Sequence, residues 1–256
     1  SSGVYTLGHR REGEGFTYRK NGEILLERTE GRSFGRLYRD GDDICFAFSV
    51  PVASATDDIE RYYHVRNGEV VQVALREDVK KVWCITSDGG TIYYVADIIG
   101  VDDPVVFAGT AMTKLDMPES ASMAGCRILA DSKVVCVEGV SVAQGRPLNA
   151  FVWSDAMEYY AFKPGLTMSS VNCSGGSVFC VLNSPSSSIC GQIYLNGTIV
   201  STPFNYTSMS SRTAVMADGI LHVGLSSKTG AKPQIWKDGK LEKLDVRSPI
   251  EALLPV

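Results

Sequence analysis

At 256 residues and 27.7 kDa, with 44% hydrophobic and 21% charged residues, the chain has the make-up of an ordinary folded protein and can bury a core without covalent staples. Its formal net charge of −4, from 25 basic and 29 acidic residues with no long basic run, excludes a nucleic-acid footprint and argues against an anionic membrane surface. No apolar stretch approaches the ~20 residues that cross a bilayer, so no membrane span is expected.

The N-terminal Ser1-Ser2-Gly3-Val4-Tyr5 has neither a basic n-region nor an apolar h-region, which predicts either a cytoplasmic chain or an exported one whose signal segment has been removed. Residues 4–7 read as a strand. Next comes Tyr18-Arg19-Lys20-Asn21-Gly22, an aromatic-bearing strand running into Asn-Gly. That pair tolerates positive φ at both central positions, as a type I′ hairpin requires. A second turn, Asp40-Gly41, opens the apolar strand 44–48. A long loop, 51–61, carries Asp57, Asp58 and Arg61 and leads through Tyr62-Tyr63-His64 to Asn67-Gly68.

The same alternation continues downstream. Asp88-Gly89 precedes the strand 92–96, a loop holds Asp102 and Asp103, and Phe107-Ala108-Gly109-Thr110 stands where the aromatic turn recurs. Asp131-Ser132 precedes 134–137, Arg146 lies in the following loop, and Trp153-Ser154-Asp155-Ala156 is the fourth aromatic turn. Gly175-Gly176 precedes 178–181, the Ser-rich stretch 184–188 is a loop, and Tyr194-Leu195-Asn196-Gly197 is the fifth. Asp218-Gly219 precedes 220–223, and Trp236-Lys237-Asp238-Gly239 is the sixth.

Successive aromatic turns are 46, 42, 46, 41 and 42 residues apart. Four strands in each period of ~40–50 residues is the signature of a β-propeller blade. No segment sustains apolar residues at i, i+3, i+4 and i+7, so few helices are expected, and no composition break divides the chain. The expected fold is therefore all-β: one domain over 1–256, a six-bladed β-propeller of four-stranded antiparallel blades. Two-residue turns cannot cross several strand spacings of ~4.8 Å, so both tight turns belong within blades and longer loops join them. Because the second turn has five internal copies, the N-terminal strand is expected to join the C-terminal blade, the one containing Trp236, and so close the ring.

Seven cysteines, an odd number, leave at least one without an intramolecular partner. Cys45, Cys136 and Cys180 fall at one repeat position, which predicts three buried, reduced thiols. The pairing of Cys84, Cys126, Cys173 and Cys190 is open. With no CxxC and three dispersed histidines (His9, His64 and His222), no metal site and no cofactor are expected. Asn172, Asn196 and Asn205 fit the N-glycosylation pattern, which matters only in a eukaryotic secretory pathway.

The aromatic-x-Asn/Asp-Gly turn followed by Asp-Gly and a hydrophobic strand, closest in Trp236-Lys237-Asp238-Gly239, resembles bacterial six-bladed β-propeller repeat proteins with a Trp-Lys-Asn-Gly-like hairpin motif. The likeness runs from Gly3 to the C-terminus and departs at Gly109-Thr110 and Asp155-Ala156, where other turns are expected. It implies the fold and an extracellular, periplasmic or cell-surface location. It carries over no catalytic residue, because the repeated residues are architectural.

Local chemistry is sparse. Thr86-Ser87-Asp88-Gly89-Gly90-Thr91-Ile92-Tyr93 loosely fits the Asp-box of sialidase-like propellers, itself a folding motif on a hairpin. No Gly-x-Ser-x-Gly, phosphate loop or dinucleotide fingerprint occurs. No catalytic residue is assigned. Both tight hairpins emerge at one end of each blade, so the longer, more varied loops share the other end, where loops have freedom to build sites. The polar candidates for ligand contact there are Asp57, Asp58, Arg61, Asp102, Asp103 and Arg146. The expected function is a non-catalytic binding or scaffold module, exported, that recognises a protein or glycan on the long-loop face. The alternative is a carbohydrate-active hydrolase or lyase with its site in the central funnel, motivated by the acidic doublets.

Overall fold

The Asn-Gly pairs adopt the backbone their chemistry permits. Asn21 and Gly22, Asn67 and Gly68, and Asn196 and Gly197 all have positive φ, between 46° and 95°, and each pair joins two antiparallel strands. The computed structural model of the chain describes residues 3–9, 15–34, 37–52, 59–117, 122–131, 134–143, 146–154, 158–161, 167–168, 171–174, 176–183, 190–205, 209–217, 220–227, 234–237 and 240–243. These residues form 25 strands in six antiparallel sheets, without a helix. No helix among them is long and apolar enough to cross a membrane.

The chain divides into two compact units, Ser1–Lys114 and Leu115–Val256. The first unit holds three sheets. One is β1 (Tyr5–His9), β2 (Phe16–Lys20) and β3 (Glu23–Arg28), hydrogen-bonded in that order. The next places β4 (Arg32–Ser33) and β5 (Tyr38–Asp40) along one edge of β6 (Asp43–Val52), followed by β7 (Ile59–Arg66) and β8 (Glu69–Gln72). The third runs through β9 (Val79–Asp88), β10 (Thr91–Ile98), β11 (Val105–Ala108) and β12 (Ala111–Lys114).

The second unit repeats the plan. Its first sheet is β13 (Ser122–Asp131), β14 (Val134–Ala143), β15 (Arg146–Ser154) and β16 (Glu158–Ala161). Its second has β17 (Thr167–Met168) and β18 (Asn172–Ser174) on β19 (Ser177–Asn183), then β20 (Cys190–Leu195) and β21 (Thr198–Asn205). Its third is β22 (Met209–Ala217), β23 (Ile220–Ser227), β24 (Gln234–Lys237) and β25 (Lys240–Lys243).

This topology corrects the expected ring closure. The N-terminal strand β1 pairs β2, with Tyr5 opposite Lys20, whereas the sheet containing Trp236 takes all its strands from residues 209–243. The reason lies in the connections. Around the third sheet two connections are equally long, six residues each: 73–78 between β8 and β9, and 99–104 between β10 and β11. Reach therefore does not choose which of them crosses between sheets. The crossing is 73–78, and 99–104 joins neighbours within a sheet.

Side-chain chemistry at the turns does choose. The Asn21 Oδ1 accepts from the Val4 amide at 2.9 Å while the Asn21 amide donates to the Val4 carbonyl at 2.8 Å. Asn67 does the same to Ile44, at 3.0 and 2.9 Å, and Asn196 to Val178, at 2.8 and 2.9 Å. Each Asn thus ties its own hairpin to the strand that follows the other tight turn. The third sheet, with Gly109 at that place, keeps the backbone half of the clip, Gly109 N to Ile92 O at 3.0 Å. In the fourth, Ser154 pairs Glu158, and the residues between them, where another turn is expected, lie outside the described residues.

The cores lie between sheets of the same unit. Phe16, Tyr18, Phe46, Phe48 and Val65 form one aromatic-rich cluster, with Phe16 packed edge-on against Phe46 at 5.5 Å between centroids. Tyr62, Val82, Ile85, Tyr94, Ala96 and Phe107 belong to the next, where Tyr94 stacks on Phe107 at 4.5 Å. In the second unit, Cys136, Val152, Val171, Val178, Cys180 and Tyr194 pack together. Cys45, Cys136 and Cys180 are fully buried free thiols, as their shared repeat position predicts.

Charged clips join neighbouring sheets as well. The buried Asp40 carboxylate accepts from Arg66 at 2.6 Å, from the Ser87 hydroxyl at 2.7 Å and from the Gly90 amide at 3.3 Å. The segment resembling an Asp-box therefore works as a docking point for the preceding sheet. In the second unit, Arg127 pairs Glu138 at 2.6 Å, and the two hold the Val171 carbonyl and amide at 2.6 and 2.7 Å.

Candidate functional site

A cleft of about 580 Å³ opens in the first unit between the second and third sheets. It sits where β6 runs into β7 and where β9 begins, the end of the sheets served by longer connections. Its aromatic wall is Phe34 stacked on Tyr62, with centroids 5.8 Å apart. Tyr62 is buried, and its hydroxyl accepts from the Val82 amide at 3.3 Å. Burial, with Glu60 close by, pushes the Tyr62 hydroxyl up to about 12, so it stays protonated at neutral pH. Pro51, Val52 and Val82 complete the apolar lining.

Three cations line the cleft: Arg32, Lys80 and Lys81. Two carboxylates, Glu60 and Asp97, face the same space. Adjacent lysines would point to opposite faces of a regular strand. Here Asp97 pairs Lys81 and Ile98 pairs Val79, so Lys80 is the extra residue of a β-bulge and both lysines reach the cleft. Lys81 is occupied: its ammonium lies 3.3 Å from the centroid of Trp83, whose indole N–H donates to Asp97 at 2.8 Å.

Arg32 stands opposite Ser49 in the β4–β6 ladder. The approach is close enough that Gly31, with φ of 96°, could carry no side chain without striking the Ser49 carbonyl. Ser49 lines the cleft at 1% exposure, and among the described residues its Oγ has no hydrogen-bond partner.

The residues singled out in the sequence are not brought together by the described structure. Asp57 and Asp58 lie outside the described residues. Arg61 is exposed on β7 between Glu60 and Tyr62, and strand alternation turns those two into the cleft and Arg61 away from it. Asp103 pairs Lys114 at 2.7 Å, and Asp102 is exposed beside it. Arg146 begins β15 in the second unit, and its side chain lies outside the described residues.

His64 and Tyr63 face packing. Tyr63 stacks on Phe48 at 5.0 Å, and buried His64 is hydrogen-bonded to the Tyr38 hydroxyl at 2.8 Å. Among the described residues, no group of three or more His, Cys, Asp or Glu side chains is placed to hold a metal. Sequence reading missed Arg32, Phe34, Ser49 and the Lys80-Lys81 doublet. The doublet at the head of a strand was the available signal, but its two-sided reach depends on a bulge set by strand pairing.

No family model matches the chain, and no curated protein does. Among solved structures it is similar to the β-propeller domain of the Trilobed protease from Pyrococcus furiosus, described as having an open velcro topology. The match has 12% identity and a TM-score of 0.52, and it covers 98% of this chain and 80% of that one. An acylaminoacyl peptidase from Pyrococcus horikoshii matches at 10% identity and a TM-score of 0.44, covering 94% of this chain and 43% of that one. A GH32 β-fructofuranosidase from Bombyx mori matches at 8% identity and a TM-score of 0.30, covering 81% of this chain and 60% of that one. The first likeness gives the fold: the chain is an all-β protein of β-propeller type.

Proposed function

We propose that the six sheets are the blades of one propeller spanning the whole chain, and that this propeller is a non-catalytic binding module for a protein or glycan. The binding surface is the long-loop end, and the cleft lined by Phe34, Tyr62, Arg32 and Lys80 is its centre. The observation that carries the reading is the position of this cleft. It lies at the end where connections are long, whereas the opposite end is committed to tight hairpins whose Asn residues are spent on holding strands. Asp57, Asp58, Arg61, Asp102, Asp103 and Arg146 remain candidates for the rim of that surface, where loops add contacts around a central site. The module acts outside the cytoplasm, a reading supported by the resemblance to exported repeat propellers.

Probing arrays of glycans and peptides tests this reading. The wild-type chain should bind members of one class. The double substitution Phe34→Ala and Lys80→Glu should abolish that binding, while Asp42→Lys on the tight-turn end should leave it intact. Equal loss in both variants would remove the support. The presence of Glu60 and Asp97 in the same cleft favours a second reading, carbohydrate hydrolysis or lysis. Turnover of model glycosides that disappears in Glu60→Gln would establish it in place of the first.

A further inference from the structure

We propose that the cleft between the second and third sheets recognises a carboxylate carried on a flat, ring-bearing body. This deepens the reading of the cleft as a binding site and rests on it. Charge within the cleft is unevenly satisfied. Lys81 and Asp97 are both engaged by Trp83, and Glu60 sits beside the Tyr62 hydroxyl. Arg32 and Lys80 line the same space and make no ion pair among the described residues. The surplus is positive, and a guanidinium is the side chain best shaped to hold a carboxylate through paired hydrogen bonds.

The second observation is independent of charge. Ser49 is 1% exposed, directly opposite Arg32, and its Oγ finds no hydrogen-bond partner among the described residues. A buried hydroxyl without a partner is costly and uncommon, and it asks what completes it. A carboxylate oxygen between Ser49 and Arg32 does so, accepting from the hydroxyl and the guanidinium together. The Phe34–Tyr62 stack supplies the apolar wall for the rest of the ligand. The volume, about 580 Å³, lies in the range of small-molecule and chain-end sites.

Two matched pairs test the inference by calorimetric titration of the intact chain: N-acetylphenylalanine against its amide, and phenyl glucuronide against phenyl glucoside. The acid of at least one pair should bind about tenfold or more tightly than its neutral counterpart. The pair that does so tells whether the carboxylate belongs to a peptide-like or a sugar-like body. Arg32→Gln should remove that preference. Ser49→Ala should weaken binding of the acid while holding or raising the melting temperature, because it deletes an unpartnered buried group. A merely structural serine would give the reverse pattern. If acid and neutral compounds bind equally and Phe34→Ala abolishes both, the cleft stands as a site and the carboxylate preference is overturned. If none of the four binds at millimolar concentration, the preference is overturned as well, and the array experiment judges the cleft separately.

Discussion

Asn67 holds both central chemistries of the repeat in one side chain. Its backbone sits at φ 48°, and its side chain accepts from the Ile44 amide at 3.0 Å and donates to Asp43 at 2.5 Å. Replacing it with glycine keeps the backbone but loses the hydrogen bonds, which should cost about 1 kcal/mol. Replacing it with alanine adds the left-handed strain, another ~1 kcal/mol. Thermal melts of Asn67→Gly and Asn67→Ala should therefore rank in that order, and an alanine variant as stable as wild type would refute the clip.

Buried titratable groups at the same junction predict the response to acid. Burial alone would raise the Asp40 carboxyl, but the Ser87 hydroxyl, Arg66 and the Gly90 amide more than offset it and hold it below 3.8. Burial lowers His64, Arg66 lowers it further, and Asp40 opposes them. Both groups have folded values below their unfolded ones, so both contribute stability at neutral pH that is lost on acidification. The His64 contribution is complete above about 6.5 and fades as pH falls below it. That of Asp40 is complete above about 3.8 and fades below it. Denaturant unfolding across pH should show two declines, with His64→Gln removing the upper one and Asp40→Asn the lower. A single decline that survives both substitutions would contradict this assignment.

At the scale of strands, packing sets the limits. Gly139 in β14 faces Phe151 in β15, and a Cβ there would come within 2.5 Å of the Phe151 ring and 2.8 Å of the Gly125 carbonyl. Gly139→Ala should overpack this sheet and destabilise the chain by about 1–3 kcal/mol, read from chemical denaturation. At β1, Tyr5 stacks on Tyr18 at 6.0 Å. Deleting residues 1–9 should speed hydrogen exchange in β2 and β3 before it affects β22–β25, because β1 belongs to the N-terminal sheet. Fastest exchange in β24 would revive closure through the Trp236 sheet. The turns were legible in sequence because Asn-Gly pairs, and the glycines of Asp40-Gly41 and Asp88-Gly89, take up positive φ locally. The pairing of β1 was not, because loop length does not say which connection crosses between sheets, 73–78 and 99–104 being equally long, and the Asn clip that decides the pairing is a contact across the sheet.

For the whole molecule, the periodicity of turns carried the β-propeller reading, since six copies at near-constant spacing leave few architectures. The site was less visible. The long-loop end follows from strand direction alone, whereas the described lining of the cleft includes none of the six polar residues read from the sequence, of which Asp57, Asp58 and the Arg146 side chain lie outside the described residues. Arg61 is excluded by strand alternation, and Lys80 is admitted by a bulge; neither can be read without the ladder. The central claim is that binding occurs at this end and not at the hairpin end. Hydrogen exchange of the chain with its best array ligand bound measures it directly. Protection should concentrate at residues 49–52, 59–62, 80–82 and 97. Protection at the tight turns 21–22, 41–42, 67–68 and 89–90, with none around the cleft, would contradict it.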